Sequence, residues 1–179
     1  MHHIAIMRKS WGLLEKIVAG EKTAESRWYK TPRPPWNKIQ TGDTIWFKNT
    51  GEPVTVKAKV TRIIQFGNLT PEKTKEILEK YGGNDLGIQN SHCHSVLDTE
   101  SIQINTNLID SRFPACRQAW RGNDRVVSAE IDEYFSGKNY CVIAFFDQVE
   151  KVKPFNINKT GFGAMSAWMR VENIEKITI

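Results

Sequence analysis

A single α+β domain is what this sequence predicts, and three observations predict it. Val54, Val56, Ala58 and Val60 alternate with Thr55, Lys57, Lys59 and Thr61, the pattern of a half-buried strand with one wet face. Tyr140–Phe146 is an unbroken apolar run, which reads as a strand covered on both faces. Two further segments, around 10–20 and 70–83, have helical spacing with start and stop signals. A length of 179 residues suits one domain, or one domain with an insertion.

Taken in order, His2–Met7 is short, apolar and β-compatible, and forms the first strand. Its adjacent histidines point to opposite faces, so they do not chelate one ion. Ser10 is the expected N-cap of a helix whose buried side is Trp11, Leu13, Leu14, Ile17 and Val18, ending at Gly20. Arg8 and Lys9 stand beside its start, where an anion would meet backbone N–H groups and positive side chains together. Gly20 to Arg27 follows, running from a turn into a strand. If Thr23–Trp28 is extended, Thr23, Glu25 and Arg27 share one face, with Glu25 and Arg27 roughly 6.5 to 7 Å apart. That suits a carboxylate and a guanidinium flanking one polar ligand, with Lys22 leaning over the same spot. The spacing equally fits an edge strand with a solvated ion pair, worth roughly 0 to 1 kcal/mol.

Trp28 to Trp36 contains three prolines and is an extended loop in which aromatics interleave with Lys30 and Arg33. Such rings stack on unpaired bases while cations meet phosphates, or they plug the end of a barrel. Thr44–Phe47 is the next strand, and Thr50-Gly51-Glu52-Pro53 the turn before the alternating one. Thr70-Pro71 caps and starts a second helix; Ile77, Leu78 and Tyr81 are its buried side, Gly82-Gly83 closes it, and its role reads as structural. From Asn90 to Val127 polar residues dominate. His92-Cys93-His94 lacks the spacing of a zinc site. Ala129–Phe135 reads as a short helix. After Tyr140–Phe146, Val149–Phe155 continues as a bent strand. Gly161 to Trp168 is small and flexible apart from its aromatics.

Charge placement adds to this. Residues 1–50 hold nine Lys or Arg against four acids, an excess equal to the formal +5 of the whole chain. Such a cluster attracts polyanions and makes their binding salt-dependent, though basic surfaces also serve solubility. No apolar run is long enough for a transmembrane helix, and the first residues lack a secretory pattern. Three cysteines without framework spacing favour a reducing compartment, so a cytoplasmic protein is expected, with Cys141 a core residue. No Ser–His–Asp set, phosphate-binding glycine loop or metal cluster is evident, and no cofactor is expected.

Gly20-x-Lys22-x-x-Glu25-x-Arg27, preceded by a helix with Trp11, resembles the GxKxxExR signature of ASCH domains, within the PUA-like superfamily. Gly42-Asp43, Val54–Phe66 and Tyr140–Phe155 resemble later strands of that family. The resemblance implies a PUA-like small β-barrel with flanking helices over 1–179, and a cleft lined by the motif that binds RNA or a nucleotide. It implies Lys9, Lys22, Glu25, Arg27, Trp28, Tyr29, Ser166 and Trp168 as binding residues, with a single-stranded or flipped-out base as partner. Some relatives hydrolyse acylated cytidine and others cleave single-stranded RNA, so the alternative is a hydrolase with Lys22 and Glu25 catalytic. The amidohydrolase relatives carry a Thr nucleophile where this chain has Glu25. A basic adaptor for an acidic protein is the third reading. Residues 91–126 resemble a translated repetitive palindromic element and read as a loop insertion, which closure entropy tolerates; a dedicated binding loop is the competing reading.

Overall fold

A computed structural model of the chain describes residues 1–86, 137–163 and 166–179. Residues 1–89 and 138–179 form one compact unit, to which the elements below belong. The readings made for 91–126, for His92–His94 and for Ala129–Phe135 lie outside the described residues.

Six strands make one sheet in the order β2-β5-β4-β3-β1-β6. They are β1 (His2–Met7), β2 (Ala24–Tyr29), β3 (Thr44–Asn49), β4 (Val54–Gly67), β5 (Tyr140–Phe155) and β6 (Trp168–Val171). Among the described residues only β1 and β3 pair in parallel; the other ladders are antiparallel. The long β4–β5 ladder changes register at three places, and Gln148 inside β5 has φ 48°. Irregularities of this kind bend a strand and tighten its twist. The sheet therefore curls into a half-barrel with β2 and β6 at its ends among the described residues, the α+β small barrel that the sequence predicts.

The alternating strand behaves as its pattern requires: Val54, Val56, Ala58 and Val60 are all buried. Phe47 pairs with Val56 and Ile45 with Ala58, which stacks these side chains on one face. A bulge at Phe47/Lys48 brings Val54 opposite Lys48 and turns it to the other face. There it joins Ile4, Ile157, Met169 and Val171 in a second core. Cys141, within the apolar run, is fully buried as expected, and burial pushes its thiol pKa up.

Two helical expectations need correction. Ser10 is not an N-cap: Lys9–Trp11 is a 3₁₀ turn, and Gly12, at φ 61°, separates it from α1 (Leu13–Val18). Val18 is exposed, while Leu13, Leu14 and Ile17 supply the buried stripe. Helix α2 (Pro71–Leu86) starts where the Thr70 hydroxyl accepts from the Lys73 N–H, as predicted, but it does not stop at Gly82-Gly83. Glycine in a helix costs roughly 1 kcal/mol relative to alanine, a weak stop signal that tertiary contacts override. Here the contacts are the Asn84 carbonyl accepting from Thr23 N–H at 3.0 Å, the Asn84 amide donating to the Thr23 hydroxyl at 2.9 Å, and those of Asp85 described below. The Val149–Phe155 segment continues β5 as expected, with the register shifts against β4 bending it. Among the described residues no helix is long and apolar enough to cross a membrane.

Candidate functional site

The site is built from strand β2, one of the two edge strands of the sheet among the described residues. Its two faces do different things. Ala24 and Trp28 turn to α2 and pack with Ile77, Cys141 and Ile143. Glu25 and Arg27 turn the other way, and their side chains form an ion pair at 2.7 Å between Arg27 Nη2 and Glu25 Oε1. The expected alternation is realised for Glu25 and Arg27, whereas Thr23 lies before β2 and its hydroxyl accepts from Asn84 of α2.

Arg27 does more than pair with Glu25. Its Nη2 also donates to the Ile6 carbonyl of β1 at 3.2 Å, and its guanidinium lies 5.3 Å from the Trp168 ring of β6. One side chain thereby spans the gap between the two ends of the curled sheet. A stacked, planar cation with forked donors suits that position better than a lysine would.

Lys22 is 1% exposed and does not lean over an open cleft. Its ammonium donates to the Asp85 carboxylate at 2.8 Å and to the Asp85 backbone carbonyl. It also stands 3.0 Å from Glu25 Oε2. Asp85 accepts in addition from the Ser26 N–H at 2.7 Å and the Ser26 hydroxyl at 2.6 Å. Burial alone would pull the Lys22 ammonium down; the Asp85 and Glu25 carboxylates outweigh it and hold its pKa above the ordinary value. Burial likewise works to raise Asp85, but the Lys22 charge and the Ser26 donors hold its carboxyl below the usual range. Helix α2 is therefore not merely structural, because its last turn supplies the counter-ion for the motif lysine.

Within this network Arg27 Nε is buried with no hydrogen-bonding partner among the described residues. Glu25 Oε2 is buried as well and is held by the Lys22 ammonium at 3.0 Å. A buried donor without a partner costs roughly 1 to 3 kcal/mol.

The remaining predicted residues fall into two groups. Tyr29 shares the Glu25–Arg27 face by alternation; its ring is half-buried and its hydroxyl donates to the Pro34 carbonyl at 3.0 Å. Trp168 is close to Arg27 but only 5% exposed, so its face is not open for stacking; it backs the guanidinium instead. Ser166 donates to the Trp168 carbonyl at 2.8 Å. Trp28 lies on the α2 side, with its indole N–H on the Ser26 hydroxyl at 2.9 Å. Lys9 is exposed and pairs with Glu52. No described contact joins it to the Lys22–Glu25–Arg27 network. Among the described residues no group of His, Cys, Asp or Glu is arranged to hold a metal ion.

Sequence reasoning missed Asp85, His3 and Asp43. His3 is fully buried, with Nε2 3.0 Å from Asp43 Oδ2 and Nδ1 3.1 Å from the Trp168 indole nitrogen. Three solved structures align with 98% of this chain at a TM-score of 0.53 and 14% identity. They are ASCH from Zymomonas mobilis, 90% of which is covered, and two single-substitution variants of it, covered to 93% and 91%. The fold is that of an ASCH domain. No protein-family model matches the sequence, and no curated protein does. At this identity the likeness to ASCH structures speaks for the fold; the site has to be argued from its own residues.

Proposed function

We propose that the protein binds RNA or a nucleotide at the Glu25–Arg27 face, reading one unpaired base. The observation that carries this is Arg27 Nε, a buried donor with no partner among the described residues, beside the Glu25 carboxylate, whose Oε2 has only the Lys22 ammonium against it. Together they complement an amide edge, an N–H beside a C=O, as on uracil or guanine. Bases offer such edges when unpaired, so a single strand or a flipped-out nucleotide is the fitting form. Tyr29, on the same face, is the aromatic placed to stack on the base. Trp28, Ser166 and Trp168 support the face from behind or beside it, and Lys22 organises Glu25 without touching ligand. The basic excess of residues 1–50, Lys9 included, supplies the long-range attraction to phosphates.

The test is a titration of purified protein with single-stranded RNA over a range of salt concentrations. The affinity is expected to fall linearly in log–log terms as salt rises, by a slope of roughly 0.7 per phosphate neutralised. No binding at low salt, or binding indifferent to salt, would refute the reading.

A second reading is favoured by one feature: the Glu25 carboxylate is clasped between two cations, Lys22 at 3.0 Å and Arg27 at 2.7 Å. In a hydrolase, Glu25 would take the proton from water or from a 2′-hydroxyl, with positive charge at hand for the developing anion. Incubation with single-stranded RNA and with modified cytidines, followed by product separation and mass detection, decides it. Turnover lost in Glu25→Gln with binding retained makes this an enzyme; intact substrate leaves a binding protein.

A further inference from the structure

The Trp168 indole can only donate through its N–H, so the 3.1 Å contact requires His3 Nδ1 to be an acceptor. At the other end of the ring, the Asp43 carboxylate 3.0 Å away requires Nε2 to carry the proton. The imidazole is therefore neutral, in one tautomer and fully buried. Asp43 is itself fixed, accepting from the Gln40 N–H at 2.8 Å and the Met1 amino group at 2.9 Å. From Asp43 a continuous set of contacts runs through His3 and Trp168 to Arg27, and from Arg27 to Glu25.

Building on the base-binding reading above, we propose that His3 is a positioning residue: its neutral form fixes the Trp168 ring against Arg27, and ligand binding requires that form. A second proton on the ring would set an Nδ1–H against the indole N–H, donor against donor. Either the imidazole turns or Trp168 leaves it, and Arg27 loses the surface that backs it. The charged groups around His3 are Asp43 from the turn before β3, the Met1 amino group and Arg170 of β6, with Arg27 of β2 beyond the indole. Burial lowers the His3 pKa, Asp43 opposes it, Arg170 and the amino group add to the lowering, and the net direction is down. His2, on the opposite face, accepts from the Trp46 indole instead and is not part of this set. A lowered histidine pKa keeps the competent form at neutral and higher pH. Binding is then lost as pH falls through the folded-state pKa of His3, which lies below the ordinary histidine value.

The experiment has two arms. In ligand-free protein, the Trp168 indole and Arg27 Nε–H resonances are followed from about pH 7.5 to pH 5 alongside the His3 ring. All three are expected to move with one midpoint. In the second arm, an oligouridylate without terminal phosphates, which does not titrate in this range, is bound across the same pH values. Its affinity is expected to fall, approaching about tenfold per pH unit, the limit for one required deprotonation. His3→Gln, neutral and able both to donate to Asp43 and to accept from Trp168, is expected to bind at pH 7.5 and to lose the pH dependence. Trp168 and Arg27 signals that stay still while His3 titrates would overturn the proposal. So would a His3→Gln profile identical to the wild type. If the oligouridylate fails to bind even at pH 7.5, the base-binding reading falls, and the resonances of the free protein still decide whether His3 positions Arg27.

Discussion

Replacing Asp85 by alanine removes the partner on which Lys22 and strand β2 both depend. Three interactions disappear: the 2.8 Å ion pair with Lys22 and the two hydrogen bonds from Ser26, at 2.7 and 2.6 Å. Breaking a buried ion pair by removing one member costs roughly 3 to 5 kcal/mol. The lower end applies here, because Glu25 and the Asp85 backbone carbonyl remain beside the ammonium, and the Asp85 carboxylate is itself one-fifth exposed. About 3 kcal/mol, divided by a urea dependence of about 2 kcal/mol per molar, moves the unfolding midpoint down by about 1.5 M. Circular dichroism in a urea series measures it. The acid side adds a check of sign. Since the folded-state pKa of Asp85 lies below its unfolded value, its contribution is complete above about pH 3.9 and disappears as pH falls through the folded pKa. Wild type and Asp85→Ala should therefore converge at strongly acidic pH. A midpoint shift below about 0.3 M at neutral pH would refute the reasoning, because it would mean that the network contributes no more than a surface pair.

Three other outcomes are expected. Gly20→Ala forces a side chain into φ 77°, and although no described residue beyond its chain neighbours lies within 4 Å of the new methyl, the backbone alone costs about 1 to 2 kcal/mol, readable as a lowered melting temperature. Cys141 should resist iodoacetamide in the native protein and react once unfolded in urea, as peptide mass mapping would show, because burial both shields the thiol and raises its pKa. Lys9→Ala should leave thermal stability unchanged, since its pair with Glu52 is exposed, while lowering the salt slope of RNA binding by about one.

Much of the sheet was legible because strand side chains have a period of two. That period places Val54, Val56, Ala58 and Val60 inside, and it places Glu25 beside Arg27. The apolar run at 140–146 needed no more than length to be read as a covered strand, although the extension of β5 to Phe155 depends on ladder pairing with β4. What was not legible depended on distant partners. Asp85 follows two glycines that look like a helix end and lies 63 residues from Lys22, so nothing local marks it as the counter-ion. His3 reads as one more residue in a short apolar strand, and only the fold brings Asp43 to one side of its ring and Trp168 to the other. The same limit applies to Lys22. A lysine in a turn is ordinarily solvated, and its burial follows from α2 continuing one turn past Gly83.

Glu25 as an acceptor for a base edge is the centre of the proposed binding mode. Glu25→Gln keeps the shape of the side chain but replaces one of its two acceptor oxygens by an N–H₂. The measurement is the affinity of wild type and Glu25→Gln for an oligouridylate and for an abasic strand of the same length, at one low salt concentration, with melting temperatures as a control for folding. The wild type should favour the base-bearing strand, and the substitution should weaken that strand's binding by about tenfold or more, the order expected for a lost base contact. Abasic binding should not change. Equal affinity of the two proteins for the oligouridylate, with the fold intact, would show that Glu25 does not read a base.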